Sequence, residues 1–243
     1  MIALKSISSL VFAGTAMLAT GSAVAVPVTI VGNTVSFTFD SALAGLFGAP
    51  TVNGDSIFFT PTNFKVFSSN DGFEQISQTF NIAITANAGF QIAGANLTES
   101  GDYYNINTSV LEGVAVSGQL RLVDLEAPFT PAVTSAIGTP APLTATTTFP
   151  AGFATTNWTA SSSVAVPMGW GGQDGIPTAV NVTIQNILIA SSLNASSAAF
   201  IEKKFAGLDI VTTPVPEPQT YALFLAGLGL IGFMARRRMG SVI

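Results

Sequence analysis

The middle of this 243-residue chain predicts an all-β fold, an antiparallel β-sandwich or jelly roll. Three observations carry that reading. Apolar and polar residues alternate with a period of two in segment after segment, as in strands that bury one face. Turn-forming clusters recur between those segments, at "SNDG", "NAG", "ESGD" and "GWGGQDG". Charged residues make up only 9% of the chain, against about a quarter in an ordinary soluble domain. The polar faces must therefore be built from Ser, Thr, Asn and Gln.

The N-terminus precedes that domain and has another character. Lys5 is the single charge ahead of an apolar run from Leu10 to about Ala19, and small residues at Ala23 and Ala25 stand just before Pro27. A basic start, a short apolar stretch and an A-x-A site form the layout of a secretory signal peptide. The expected boundary is cleavage after Ala25, with residues 1–25 removed and a β ectodomain over 26–214.

Within that domain, Val35, Phe37 and Phe39 alternate with Ser36 and Thr38, and Phe80, Ile82 and Ile84 alternate with polar or small neighbours. Val114, Val116, Leu120 and Leu122 share a face opposite Ser117, Gln119 and Arg121. Gly118 falls on the inward side of that strand, which marks a bulge or a close backbone approach. From Pro128 to Pro150 the chain turns to Ala, Thr and Pro without a charge, and this reads as a surface excursion. Val180, Val182 and Ile184 hold one phase while Ile187 and Ile189 hold the other, so a β-bulge is expected at Gln185–Asn186. "ASSAAFIEKKF" fits a helix or, continued into "GLDIVTT", a late strand.

The last element is helical. Tyr221 to Ala235 is a run of fifteen positions without charge, followed by Arg236, Arg237 and Arg238. As a helix that run reaches about 22 Å against a hydrocarbon core of about 30 Å. A single transmembrane helix is therefore expected as a transient anchor, with the arginines stopping transfer on the cytoplasmic side. Gly227, Gly229 and Gly232 match G-x-G-x-x-G, yet no crossover helix or distal acid can follow them, so they read as helix-packing residues. Ahead of the run stands Pro216-Glu217-Pro218, where two prolines hold the chain extended.

Composition removes much chemistry. There is no cysteine and no histidine, which excludes thiolate metal sites, cysteine nucleophiles and the Ser-His-Asp arrangement. Residues 26–214 hold four basic side chains against twelve acidic ones, a net charge of −8. That sign disfavours nucleic acid, whose phosphates need clustered Lys and Arg.

Few residues remain as candidate sites. Glu99 and Asp102 bracket Ser100-Gly101 and could place two carboxylates together, as a glycan hydrolase requires. Asp71, Asp102 and Asp174 could offer oxygens to calcium, but without the dense spacing of a calcium loop. Trp170, on the glycine-rich "MGWGGQDG", is the better of two tryptophans as a stacking platform for a sugar ring. No catalytic, cofactor or metal residue is assigned.

The C-terminal arrangement closely resembles the PEP-CTERM sorting signal over residues 215–238: Pro216-Glu217-Pro218, a short glycine-rich apolar span, then the arginine cluster. The resemblance implies a protein exported by the Sec machinery and signal peptidase, held briefly in the inner membrane, and cleaved near the tripeptide by an exosortase. It further implies release to the cell surface or extracellular matrix, with exopolysaccharide as a candidate partner. The expected function is then a non-catalytic structural or adhesive protein of the exopolysaccharide or biofilm matrix. The alternatives are a secreted carbohydrate-binding module, a carboxylate-dependent glycan hydrolase, and a permanently anchored surface protein.

Overall fold

The computed structural model describes residues 27–106, 108, 112–126, 136–215 and 218–239. Ala23 and Ala25 of the expected signal cleavage site lie outside the described residues, as do Pro216 and Glu217. Thirteen strands and one helix are described. In chain order they are β1 (Pro27–Val31), β2 (Val35–Asp40), β3 (Thr51–Asn53), β4 (Ser56–Phe59), β5 (Lys65–Ser69), β6 (Gly72–Ala86) and β7 (Phe90–Ile106). They continue as β8 (Gly113–Asp124), β9 (Ala141–Pro142), β10 (Thr144–Ala145), β11 (Gly152–Ala165), β12 (Ala179–Ser192) and β13 (Ala198–Pro214), then α1 (Pro218–Met239). Two short 3-10 turns, Ser41–Leu43 and Gly45–Phe47, link β2 to β3.

The strands form two antiparallel sheets. One runs β1-β2-β6-β12-β8-β9; the other runs β10-β11-β7-β13-β4-β3, with β5 also paired to β13. Their inner faces share one core, as the period-two pattern requires. Val35, Phe37, Phe80, Ile82, Ile84, Leu120 and Leu122 are all buried. Phe59 of one sheet meets Phe80 of the other edge to face, with centroids 5.5 Å apart, a geometry that suits aromatic quadrupoles. The two-sheet arrangement is thus the one the alternation predicts.

Three turn clusters are turns. Asn70 and Asp71 both take positive φ between β5 and β6, Phe90 closes on Asn87 across "NAG", and the "GWGGQDG" loop contains four positive-φ glycines. That loop is tied down by Asp124, whose carboxylate accepts a hydrogen bond from the Gly171 amide at 3.2 Å. The described part of the Pro128–Pro150 excursion runs along both sheet edges, since β9 pairs with β8 and β10 with β11, and it buries Leu143.

Two expectations are corrected, and one open alternative is decided. "ESGD" is not a turn: Ser100 and Gly101 lie inside the 17-residue β7, paired with β11 on one side and β13 on the other. "ASSAAFIEKKF" lies within strand, not helix, from Ala198 onward, because β7 and β5 both offer it ladder partners. No bulge occurs at Gln185–Asn186, since β12 keeps register with both neighbours from end to end. Instead the even-numbered positions stay inward throughout, and one of them is the polar Asn186. A bulge does exist, in β13, where the register skips Lys204 between Lys203 and Phe205.

Candidate functional site

The polar side chain of Asn186 points into an apolar core, and two further polar groups explain why. β7 directs Glu99 inward from the opposite sheet, and Lys203 points inward beside it in phase with Ala199 and Ile201, the last inward position before the β13 bulge. Asn186 and Glu99 are 0% exposed and Lys203 1%. The Lys203 ammonium and a Glu99 carboxylate oxygen are 2.5 Å apart. Phe64 and Phe47 cover the amine, with ring centroids 4.6 and 5.4 Å from Nζ. Such contact with ring faces is favourable for a cation.

Burial shifts both charged groups toward neutrality. It pushes the Glu99 carboxyl up, opposed by the Lys203 charge and by polar contact from Lys203 and Asn186. It pushes the Lys203 amine down to about 8, opposed by Glu99. Desolvation wins in both cases, which is the usual result when charge enters a low-dielectric interior. The cluster is also poorly satisfied. Lys203 Nζ, both Glu99 oxygens and Asn186 Oδ1 lack an aligned hydrogen bond, and Asn186 Nδ2 donates to the neighbouring Gln185 carbonyl at 3.0 Å.

Two glycines make this crowding possible. Gly118 lies opposite Asn186 with φ of 152°, and a Cβ there would meet the Gln185 carbonyl oxygen at 2.1 Å. The close backbone approach expected of Gly118 is therefore present, without a bulge in β8. Gly101 lies opposite Lys203, where a Cβ would sit 1.9 Å from the Glu202 carbonyl oxygen. The same carbonyl accepts the Trp158 indole N–H at 3.0 Å. Gly101→Ala is therefore expected to cost about 3 kcal/mol, because backbone must move to admit one methyl group. A urea unfolding midpoint within error of wild type would contradict that close approach.

The other candidate residues are placed differently. Asp102 lies on the outer face of β7, three positions from Glu99, and pairs with Lys204, which also reaches Glu202 at 3.1 Å. The two carboxylates thus point to opposite faces and cannot flank one bond. Trp170 is 2% exposed and packs by Gly138, so no ring face is open to a sugar. A large ring in a flexible loop gains more from burial than from water. Asp174 caps its own turn by accepting from the Ile176 amide. Among the described residues no three acidic side chains converge as a metal site. A cavity of about 340 Å³, lined by Val28, Ile30, Phe39, Ala44 and Pro50, presents no charged group.

The C-terminal segment is the second site. α1 opens on Pro218, a position where the missing N–H costs nothing, and its final turns contain Arg236, Arg237 and Arg238. Cations are favourable at that end of a helix dipole. Leu223, Phe224, Leu225, Leu228, Leu230 and Ile231 are all more than half exposed, so the stretch from Ala222 to Met234 is apolar on every side. Among the described residues no helix is both long and apolar enough to cross a membrane; the expected transmembrane helix is not borne out as such.

Residues 214–238 match the family model described as the PEP-CTERM protein-sorting motif. The chain carries this sorting signal. A PEP-CTERM signal implies an exported protein addressed to an exosortase, which is the partner the match identifies. No curated protein matches the chain by sequence. Among solved structures, it is similar to infectious bursal disease virus Gx strain at 12% identity and TM-score 0.24, covering 67% of this chain and 33% of that one. For the Gt strain the values are 11% and 0.22, covering 86% and 54%. The chain thus spans about a third to a half of the length of those chains, and at these scores the likeness carries no argument.

Proposed function

We propose that this PEP-CTERM protein is a non-catalytic structural or adhesive component of the exopolysaccharide or biofilm matrix. The sorting motif at residues 214–238 is the observation that carries the reading. On this reading the signal peptide is cleaved after Ala25, α1 holds the chain briefly in the inner membrane, and exosortase cleavage near Pro216–Pro218 releases residues from 26 onward. The apolar stretch from Ala222 to Met234 supports the transient anchor, because it has no polar face to turn to water. The placement of the acids supports a non-catalytic domain. Glu99 is sealed in the core and Asp102 is engaged on the outer face, so the pair offers no site to a glycosidic bond.

Terminal peptide mapping of protein from the matrix and membrane fractions of producing cells tests the proposal. The released species is expected to begin at Val26 and to end near Pro216–Pro218. Matrix protein that still carries Tyr221 to Arg238, or protein found only in membranes with that segment intact, would make the ending a permanent anchor. Turnover of a polysaccharide by the released protein would replace the matrix reading with the hydrolase.

A further inference from the structure

We propose that Lys203 and Asn186 become joined by an amide bond that ties the two sheets together, with Glu99 as the proton carrier. The argument starts from what the core holds. A primary amine and a carboxamide, on facing sheets, converge on one carboxyl group. All three are sealed among apolar side chains, and the aromatic rings of Phe64 and Phe47 close over the amine. Four of their polar atoms lack an aligned hydrogen bond. Unsatisfied buried polar atoms are rare in folded proteins and call for a reason. Condensation supplies one, because it removes the ammonium and turns two mismatched groups into one neutral amide.

The chemistry balances without a co-reactant. Proton transfer from the Lys203 ammonium to the Glu99 carboxylate, 2.5 Å away, leaves a neutral amine and a carboxylic acid. Burial favours that neutral pair, pushing the amine down and the carboxyl up. The Nζ lone pair then adds to Asn186 Cγ, forming the new C–N bond, while Glu99 donates its proton to Oδ1. As the carbonyl re-forms, that proton returns to Glu99. The proton shed by Nζ passes through the same carboxyl to Nδ2. The Cγ–Nδ2 bond breaks, its electron pair leaves with nitrogen, and ammonia departs. An amine and a carboxamide have become an amide and ammonia, and Glu99 ends as the acid. A desolvated lysine beside a proton acceptor is an activated nucleophile, and the fold brings both reacting side chains to the one Glu99 carboxyl.

Digestion of the denatured full chain with a protease that cuts after glutamate tests this. Cleavage after Glu202 places Asn186 and Lys203 on different peptides. The expected result is that the two peptides remain joined, with a combined mass lower by one ammonia, and that Glu99→Gln abolishes the joined species. Separate peptides with an unmodified Lys203 from the wild-type chain would overturn the proposal. So would an ammonia loss confined to the Asn186 peptide, which is cyclisation of the asparagine alone. The wild-type chain gives the deciding readout, so the test holds even where a variant fails to fold.

Discussion

Lys203→Met is expected to lower the unfolding free energy by about 3–5 kcal/mol, the range for breaking a buried ion pair by removing one partner. The loss should appear as a lower urea midpoint with little change in slope. Two causes act in the same direction. In chains where the amide has not formed, Glu99 is left in the core without its cation, among the rings of Phe47 and Phe64 that covered the amine. The covalent tie between β12 and β13 cannot form either. The double variant Glu99→Leu/Lys203→Met separates these causes. It deletes both charges and is expected to regain the part of the loss that came from desolvation, since apolar replacements of buried pairs are often neutral or better. What it does not regain is the tie, which closes a loop of about 17 residues worth about 3 kcal/mol in the chain-entropy model. A single variant within about 1 kcal/mol of wild type would mean that Lys203 contributes neither charge nor link, far below the range for a broken buried pair.

How legible this was in the sequence depends on how local each signal is. The strands around Phe37, Ile82 and Leu120 could be read because period-two alternation is set by the pleat itself and needs no knowledge of the partner strand. Asn186 could not be read the same way. A polar residue at an inward position looks like a break in phase, and the sequence alone suggests a bulge where β12 is in fact regular. Its reason is Glu99 and Lys203, which come from other strands. Likewise, "ESGD" has the composition of a turn, but Gly101 is there because the backbone of Glu202 and Lys203 leaves no room for a Cβ, with the Glu202 carbonyl held by the Trp158 indole. The adjacent lysines at 203 and 204 carry no hint of which one is buried; the phase of β13 decides, and that phase is set by pairing. Trp170 shows the same limit, since a glycine-rich loop can fold its ring under Gly138 as readily as present it. The sorting signal was legible almost entirely, because an enzyme that grips a linear peptide needs only the order of residues along the chain.

That linear logic gives the sharpest expectation for the living cell. Replacing Pro216, Glu217 and Pro218 together by alanine should abolish release, leaving nearly all of the protein in the membrane fraction with its C-terminus intact. Alanine is the best helix former, whereas a proline fixes φ, lacks an N–H and disfavours helix in the residue before it. The variant should therefore continue α1 backward through the recognition segment and also remove its carboxylate. Glu217→Gln alone tests the second effect, because it keeps the prolines and the shape but not the charge. If exosortase reads the carboxylate, Glu217→Gln is retained like the triple variant; if it reads the extended backbone, Glu217→Gln is released normally. The β domain lies outside this segment, so matrix-free protein of either variant should unfold at the same urea concentration as wild type. Normal release of the triple variant, measured by quantifying the protein in matrix and membrane fractions, would mean that the tripeptide is not the element recognised. The apolar helix and Arg236–Arg238 would then have to carry the signal, since they are the other parts of the matched segment.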